Sequence, residues 1–366
     1  TLSLHDALPI YYSSSVGFSY VSKKIDVLDA YQYRQYVPNI SRTTSTDWQD
    51  EIFRTALVQD HNLTISSGNK NTNYRASVSA STQDGVIIST GLNRYTLRFN
   101  VTHKMFEDRL IFNVNANNTH YKFNNILEQQ TGGAQGGIIN NALKADPTQS
   151  VYNEDGTFNE YSKVSVRNPV AMAKQISDKS TGDRFIGNGD VTFFFLPKIL
   201  SAKVNFGYDV DNTARKAYQP RTSVVAENVG GRALTENNRY SNYLFESYLA
   251  FDKTFHKIHH INVIGGYSWQ EFDNYLSSVK AEGFVNDNLG ANNMGGGRNQ
   301  NAKNERERNR LISFYGRVNY NLLDKYLLTA TIRRDGSSRF GINNRWGVFP
   351  SAALAWKIKE ESFLKD

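Results

Sequence analysis

The chain contains no cysteine, so neither disulfides nor thiolate metal sites hold its fold, and a small disulfide-stapled scaffold is excluded. Long hydrophobic runs are also missing. Hydrophobic residues make up 39% of the 366 positions, mean hydropathy is −0.54, and nothing approaches the roughly 20 consecutive apolar residues of a membrane-spanning helix. A helical membrane protein is therefore excluded. A strand-built one is not, because only alternate residues of a membrane strand meet lipid and the average over a window stays polar. Nor does one sign of charge dominate: 42 Lys and Arg face 35 Asp and Glu for a formal charge of +7. The basic residues are scattered and no recognised nucleic-acid module accompanies them, so nucleic acid is not an expected partner. Length alone fits two soluble domains or one large all-β unit.

Aromatic side chains are abundant. There are 21 Tyr, 21 Phe and 4 Trp, 13% of the chain, and Tyr and Trp suit a headgroup boundary. The stretch from Tyr326 to Ile358 shows how they are used. Tyr326, Leu328, Ala330 and Ile332 alternate with Leu327, Thr329, Thr331 and Arg333, and Val348, Ala352, Leu354 and Trp356 alternate with Phe349, Ser351, Ala353 and Lys357. This period of two predicts two strands with one apolar and one polar face, in a soluble sandwich or in a barrel with lipid on one side and water on the other.

The rest of the chain repeats the pattern. Residues 1–10, TLSLHDALPI, lack the features of a signal peptide, resemble a translated sequencing adapter, and are set apart from the fold. Strands are then expected at 12–20, 62–66, 74–81, 94–102, 112–117, 190–195, 202–211, 243–252, 260–270 and 312–320, with the final hairpin bringing the count to about twelve. Asp47 or Thr46 is a plausible N-cap for a short helix within 25–58. Connections alternate: SGNKNT, KMFED, LPKIL, FHKIHH and NLLDK are short, whereas 25–58, 122–186, 212–240 and 275–308 read as long polar loops. Short turns at one end and long loops at the other are the asymmetry of an up-and-down transmembrane barrel. Arg98, Asn113, Asn115, Lys203, Asp209, Glu246, Asn262 and Arg317 all fall on the non-lipid faces. A dry core would charge several kcal/mol for each uncompensated ion, and a watery lumen accepts them. The expected fold is thus an all-β, antiparallel, transmembrane β-barrel, about twelve strands of it, with long extracellular loops.

The segment GVFPSAALAWKIKEESFL, with Gly347, Val348, Phe349, Pro350 and Ser351 at its head, resembles the signature of the SusC/RagA family of TonB-linked outer-membrane transporters. RRDGSSRFG at 333–341, residues 71–101 and residues 46–66 are similar to further landmarks of that family in the same order. The resemblance implies a 22-stranded barrel with an N-terminal plug in the outer membrane of a Bacteroidetes-type Gram-negative cell. It implies import of glycans or peptides, with a SusD-like lipoprotein as lid and the TonB-ExbB-ExbD complex as energy source. Residues 11–366 would supply the first part of the barrel, without plug or TonB-contact segment, as an open sheet with two free edges. An adhesin that displays loops on a barrel and a passive porin are the alternatives.

Chemistry-bearing clusters are sparse. His256, His259 and His260 lie within five residues, but on a strand His259 and His260 point to opposite faces. NEDGT at 153–157 is a fragment of a calcium loop without the remaining ligands, so calcium in this loop is the one ion considered and no cofactor is expected. TGGAQGG and GGG lack the strand, helix and Lys of a phosphate loop. Without a nucleophile–base arrangement or carboxylate pair, catalysis is not expected. The candidate contacts to substrate or lid are the loop aromatics Trp48, Tyr152, Tyr161 and Tyr218, which either stack on sugar rings or pack the loops together.

Overall fold

The computed structural model describes residues 9–126, 136–160 and 166–364. Twelve strands form one sheet in which each pairs with its neighbours in chain order. They are β1 (Ile10–Ser19), β2 (Ala56–Gly68), β3 (Thr72–Asp84), β4 (Gly91–Met105), β5 (Leu110–Asn124) and β6 (Ser177–Leu196). The second half comprises β7 (Leu200–Gln219), β8 (Arg232–Phe255), β9 (His259–Phe284), β10 (Gly297–Leu322), β11 (Tyr326–Ser337) and β12 (Trp346–Trp356). Every pairing is antiparallel, and among the described residues β1 and β12 are paired on one side only. β1 begins at Ile10, opposite Ile65, so the sheet reaches one residue into the segment set apart by sequence.

The hairpins at one end are tight. His256 and Lys257, and likewise Leu323 and Asp324, have positive φ between 49° and 62°. The amides of Ile258 and Lys325 close these turns onto Phe255 O at 3.1 Å and Leu322 O at 3.0 Å. Two successive left-handed residues match the right-handed twist of the flanking strands, although Gly is the usual occupant. Here the long ladders hold non-glycine residues in that conformation.

Register sorts the side chains as the alternation requires. The apolar face carries Phe99, Val114, Phe206, Leu249, Phe314, Val318, Ile332 and Leu354. It is uncovered by protein, with Phe206 60% and Leu354 84% exposed. Aromatic pairs mark both rims of this face. His259 and Tyr320 stack at 6.0 Å and Tyr326 and Trp356 at 6.3 Å near the tight turns, and Tyr208–Tyr243, Tyr267–Phe314 and Phe314–Trp346 lie towards the other rim. An apolar band between two aromatic girdles is the profile of a sheet in lipid.

The other end departs from expectation. β8, β9 and β10 run for 24, 26 and 26 residues, more than twice the 9–11 or so that cross a bilayer. Most of the segments 212–240 and 275–308, expected as loops, are strand, and β6 starts at Ser177 rather than near Asp190. The reason is physical: beyond the membrane neither face meets lipid, so the apolar alternation stops while the backbone ladder continues. Within the long connections, α1 (Ala30–Tyr36) and α2 (Trp48–Ile52) precede β2, and α3 (Ile138–Lys144) and α4 (Pro169–Gln175) precede β6. No described helix is long and apolar enough to cross a membrane.

Candidate functional site

Two surfaces concentrate polar chemistry: the polar face of the sheet and the unit built by the long connections. On the first, cross-strand pairing places all eight expected residues on one face, where most are tied into short networks. Thr102 donates to Asn113 Oδ1 at 2.8 Å, and Asn113 donates to Asp190 Oδ1 at 3.0 Å. Lys203 Nζ reaches the same carboxylate at 2.9 Å. Asn100 donates to Asn115 at 2.7 Å, and Arg184 holds Asp209 through two bonds of 3.0 and 2.8 Å. Glu246 accepts from Tyr315 at 2.9 Å, and Asn262 donates to Asp252 at 2.8 Å. Arg98 sits opposite Ser77 and Asn117, and Arg317 opposite Ile264 and Thr331. Such a ladder of amides and paired charges stays solvated and presents donors and acceptors along its length.

The second surface is a small core of its own. Trp48, Ile52, Ile138, Ala142, Val151, Val170, Met172 and Val225 cluster there, buried. Asp47 caps α2 by accepting from Gln49 N and Asp50 N, as its position before Trp48 led one to expect. The Gln49 side chain then clamps the preceding segment, donating to Ile25 O at 2.7 Å and accepting from Ile25 N at 3.1 Å. Asn168, fully buried, caps α4 through Val170 N and Ala171 N and donates to Val151 O at 2.8 Å and Asn159 O at 3.1 Å. Beside it, burial pushes the Glu160 carboxyl up to about 7, with Glu227 adding to the effect and the Asn168 amide and Arg167 opposing it. A cleft of about 790 Å³ opens between these elements, lined among others by Asp26, Asp29, Tyr33, Asp47 and Pro147.

The loop aromatics have unequal places. Trp48 is 3% exposed and its indole N–H donates to Asp146 O at 2.9 Å, so its faces are taken up by packing rather than offered to a sugar. Tyr218 is likewise buried, against Phe284, Ala233 and Ala281, with its hydroxyl on Asp287 Oδ1 at 2.7 Å. Tyr152 is exposed, accepts from Lys174 Nζ at 2.9 Å and packs on Phe158. Tyr161 lies outside the described residues.

His259 meets Tyr320 OH at 2.7 Å, and His260 meets Asp252 Oδ1 at 2.9 Å on the other face. No group of three metal-ligating side chains occurs among the described residues. In NEDGT the Asp155 carboxylate accepts from Thr157 N at 2.9 Å and Thr157 Oγ1 at 2.6 Å, closing a local turn. Those bonds hold the Asp155 carboxyl below its ordinary range.

Residues 149–364, more than half the chain, match the family model described as TonB dependent receptor-like, beta-barrel. The chain belongs to this TonB-dependent receptor family. TonB-dependent receptor SusC of Bacteroides thetaiotaomicron is 35% identical over 401 residues, covering 97% of this chain and 37% of its own length. TonB-dependent receptor P3 of Formosa agariphila is 34% identical over 366 residues, covering 97% of this chain and 36% of its own. The chain thus spans about a third of the length of these curated relatives. Among solved structures, that of the RagAB peptide transporter superposes with a TM-score of 0.80 at 17% identity, covering 98% of this chain and 45% of that one. The TonB-dependent receptor assignment makes the sheet part of an outer-membrane barrel homologous to that of SusC. The tight turns accordingly face the periplasm and the long connections the exterior.

Proposed function

We propose that this chain contributes the first part of the barrel wall of an importer that takes up glycans or peptides through the outer membrane, driven by TonB and covered by a SusD-like lipoprotein. The observation that carries the reading is the pairing of a continuous polar face, from Arg98 to Arg317, with a packed extracellular unit at its mouth. The polar face lines the lumen, where its Asn amides and paired charges meet a plug or a passing hydrophilic solute. The unit around Trp48 and Asn168 gives a lid a rigid rim rather than a mobile one. RagAB, which shares this fold, is a peptide transporter, and the resemblance to the SusC/RagA family implies glycans as the other class of cargo.

Uptake by cells producing the full-length receptor tests this. Radiolabelled oligosaccharides and oligopeptides should enter at rates that fall to the deletion-strain background when TonB is removed. TonB-independent entry of either would indicate a passive pore, and surface attachment without entry would indicate an adhesin. Co-purification of a surface lipoprotein with the receptor is the corresponding test of the lid.

A further inference from the structure

We infer that the outward face of β10, with its neighbours on β8 and β11, is a docking site for the phosphorylated headgroups of outer-leaflet glycolipid. In NERERNR, residues 304–310, the period of two sorts charge instead of hydrophobicity. Glu305 and Glu307 lie on the polar face, whereas Arg306, Arg308 and Arg310 continue the face that carries Ile312, Phe314 and Val318. Arg239 and Arg306 flank Tyr275 in one directly paired row, and Arg334, opposite Phe314, lies over the Trp346 ring at 4.8 Å.

Cross-strand pairing accounts for only part of this charge. Arg308 stands opposite Asp273 and Arg310 opposite Glu271. Asp273 is already shared, accepting from Arg306 at 3.0 and 2.7 Å and from Arg308 at 3.1 and 2.8 Å. Glu271 accepts from Arg310. Five guanidiniums thus face two carboxylates on one outward strip, leaving three positive charges in excess. The side chains of Arg306, Arg308 and Arg310 are 56%, 44% and 53% exposed.

Position selects the counter-ion. Arg334 lies within the girdle of Tyr267, Phe314 and Trp346, and the arginines of β10 begin just beyond it, Arg310 lying two residues past Ile312, about 7 Å along the strand. That is headgroup depth. A solute inside the barrel never meets this face, and a forked guanidinium matches phosphate oxygens in pairs. A membrane anion whose acyl chains pack on Phe314 and Ile332 satisfies both the charge and the location.

Native mass spectrometry of the purified full-length receptor tests the assignment, using bis-phosphorylated lipid A and its dephosphorylated form as probes. The expected result is retention of the phosphorylated lipid at least about tenfold greater than that of the dephosphorylated one, since charge-assisted paired bonds are the strong ones. Joint substitution Arg306→Gln, Arg308→Gln and Arg310→Gln should remove that preference while the barrel still shows heat-modifiable migration on gels. Arg317→Gln, on the polar face, should leave it intact. Equal retention of both lipids, or full retention by the triple variant, overturns the proposal. Displacement of the lipid by millimolar inorganic phosphate would show a free-anion site and overturn it as well. If the triple variant does not fold, Arg334→Gln and Arg239→Gln, each tested alone, must each lower retention for the proposal to stand.

Discussion

The membrane zone of the sheet and the unit above it bury their apolar groups in different solvents. Phe206 and Leu354 point out of the protein, uncovered by any other element, whereas Trp48, Ile52 and Val170 are enclosed by their own chain. The first region draws its stability from lipid and from the ladder. The second draws it from an interior that would suit a small soluble domain. The extended parts of β8–β10 lie beyond lipid and enclose only the small cluster of Ala233, Ala281 and Phe284 with Tyr218, while outward positions of β9 and β10 carry cross-strand ion pairs. Within β9 and β10 the same period of two therefore sorts hydrophobicity in the membrane zone and charge above it.

The largest effect should come from the enclosed region. Trp48→Ala removes a buried indole and its hydrogen bond to Asp146 O, and losses of this kind cost about 3–5 kcal/mol. Hydrogen exchange should show the amides of α2 to α4 losing protection while those of β7 to β10 keep theirs. Equal loss in both places would mean that the two regions unfold as one.

A charge in lipid comes next. Phe206→Arg, on the apolar face, should destabilise the full-length barrel by about 2–4 kcal/mol near the midplane. Asn205→Arg, one residue away on the polar face, should leave it nearly unchanged. Urea titration in lipid vesicles measures both. Similar losses at the two positions would reverse the facing inferred from register.

Much of this division was legible in the sequence, and the illegible part has a common cause. Lipid imposes apolar residues at every second position, so Tyr95, Leu97, Phe99 and Val101 announce a strand, and twelve strands could be counted. Above the bilayer that demand ends, and Asn301 to Arg308 reads as a loop although it is ladder throughout. A signal was nevertheless present in the alternation of Glu305 and Glu307 with Arg306 and Arg308. α4 falls in the segment 122–186 that reads as a long polar loop, although a start signal was present there in Asn168 as cap and Pro169 at the first helical position. α3, in the same segment, lacks even that signal, because Gly137 precedes it without a capping side chain. The burial of Trp48 and Tyr218 depends on contacts between segments about a hundred and about seventy residues apart in sequence, which local pattern does not encode.

The smallest expected effect is a dependence on pH confined to the enclosed unit. Burial raises the Glu160 carboxyl from the ordinary value of 4.5 to about 7, so the folded unit binds this proton more tightly than the unfolded chain does. Its contribution is fully present below about pH 4.5 and is lost as pH rises through about 7. With one pKa unit equivalent to about 1.4 kcal/mol and a partly solvated site, the change should be on the order of 1–2 kcal/mol. Proteolysis of intact cells at pH 5 and pH 8 measures it: the α3–α4 connection should be cut faster at the higher pH in the wild type and at nearly equal rates in Glu160→Gln. The membrane zone provides the internal control, since β7 and β8 within lipid should show no such dependence. An unchanged pH response in Glu160→Gln would assign the effect to another group, with Glu227, which faces the same carboxyl, the first to substitute.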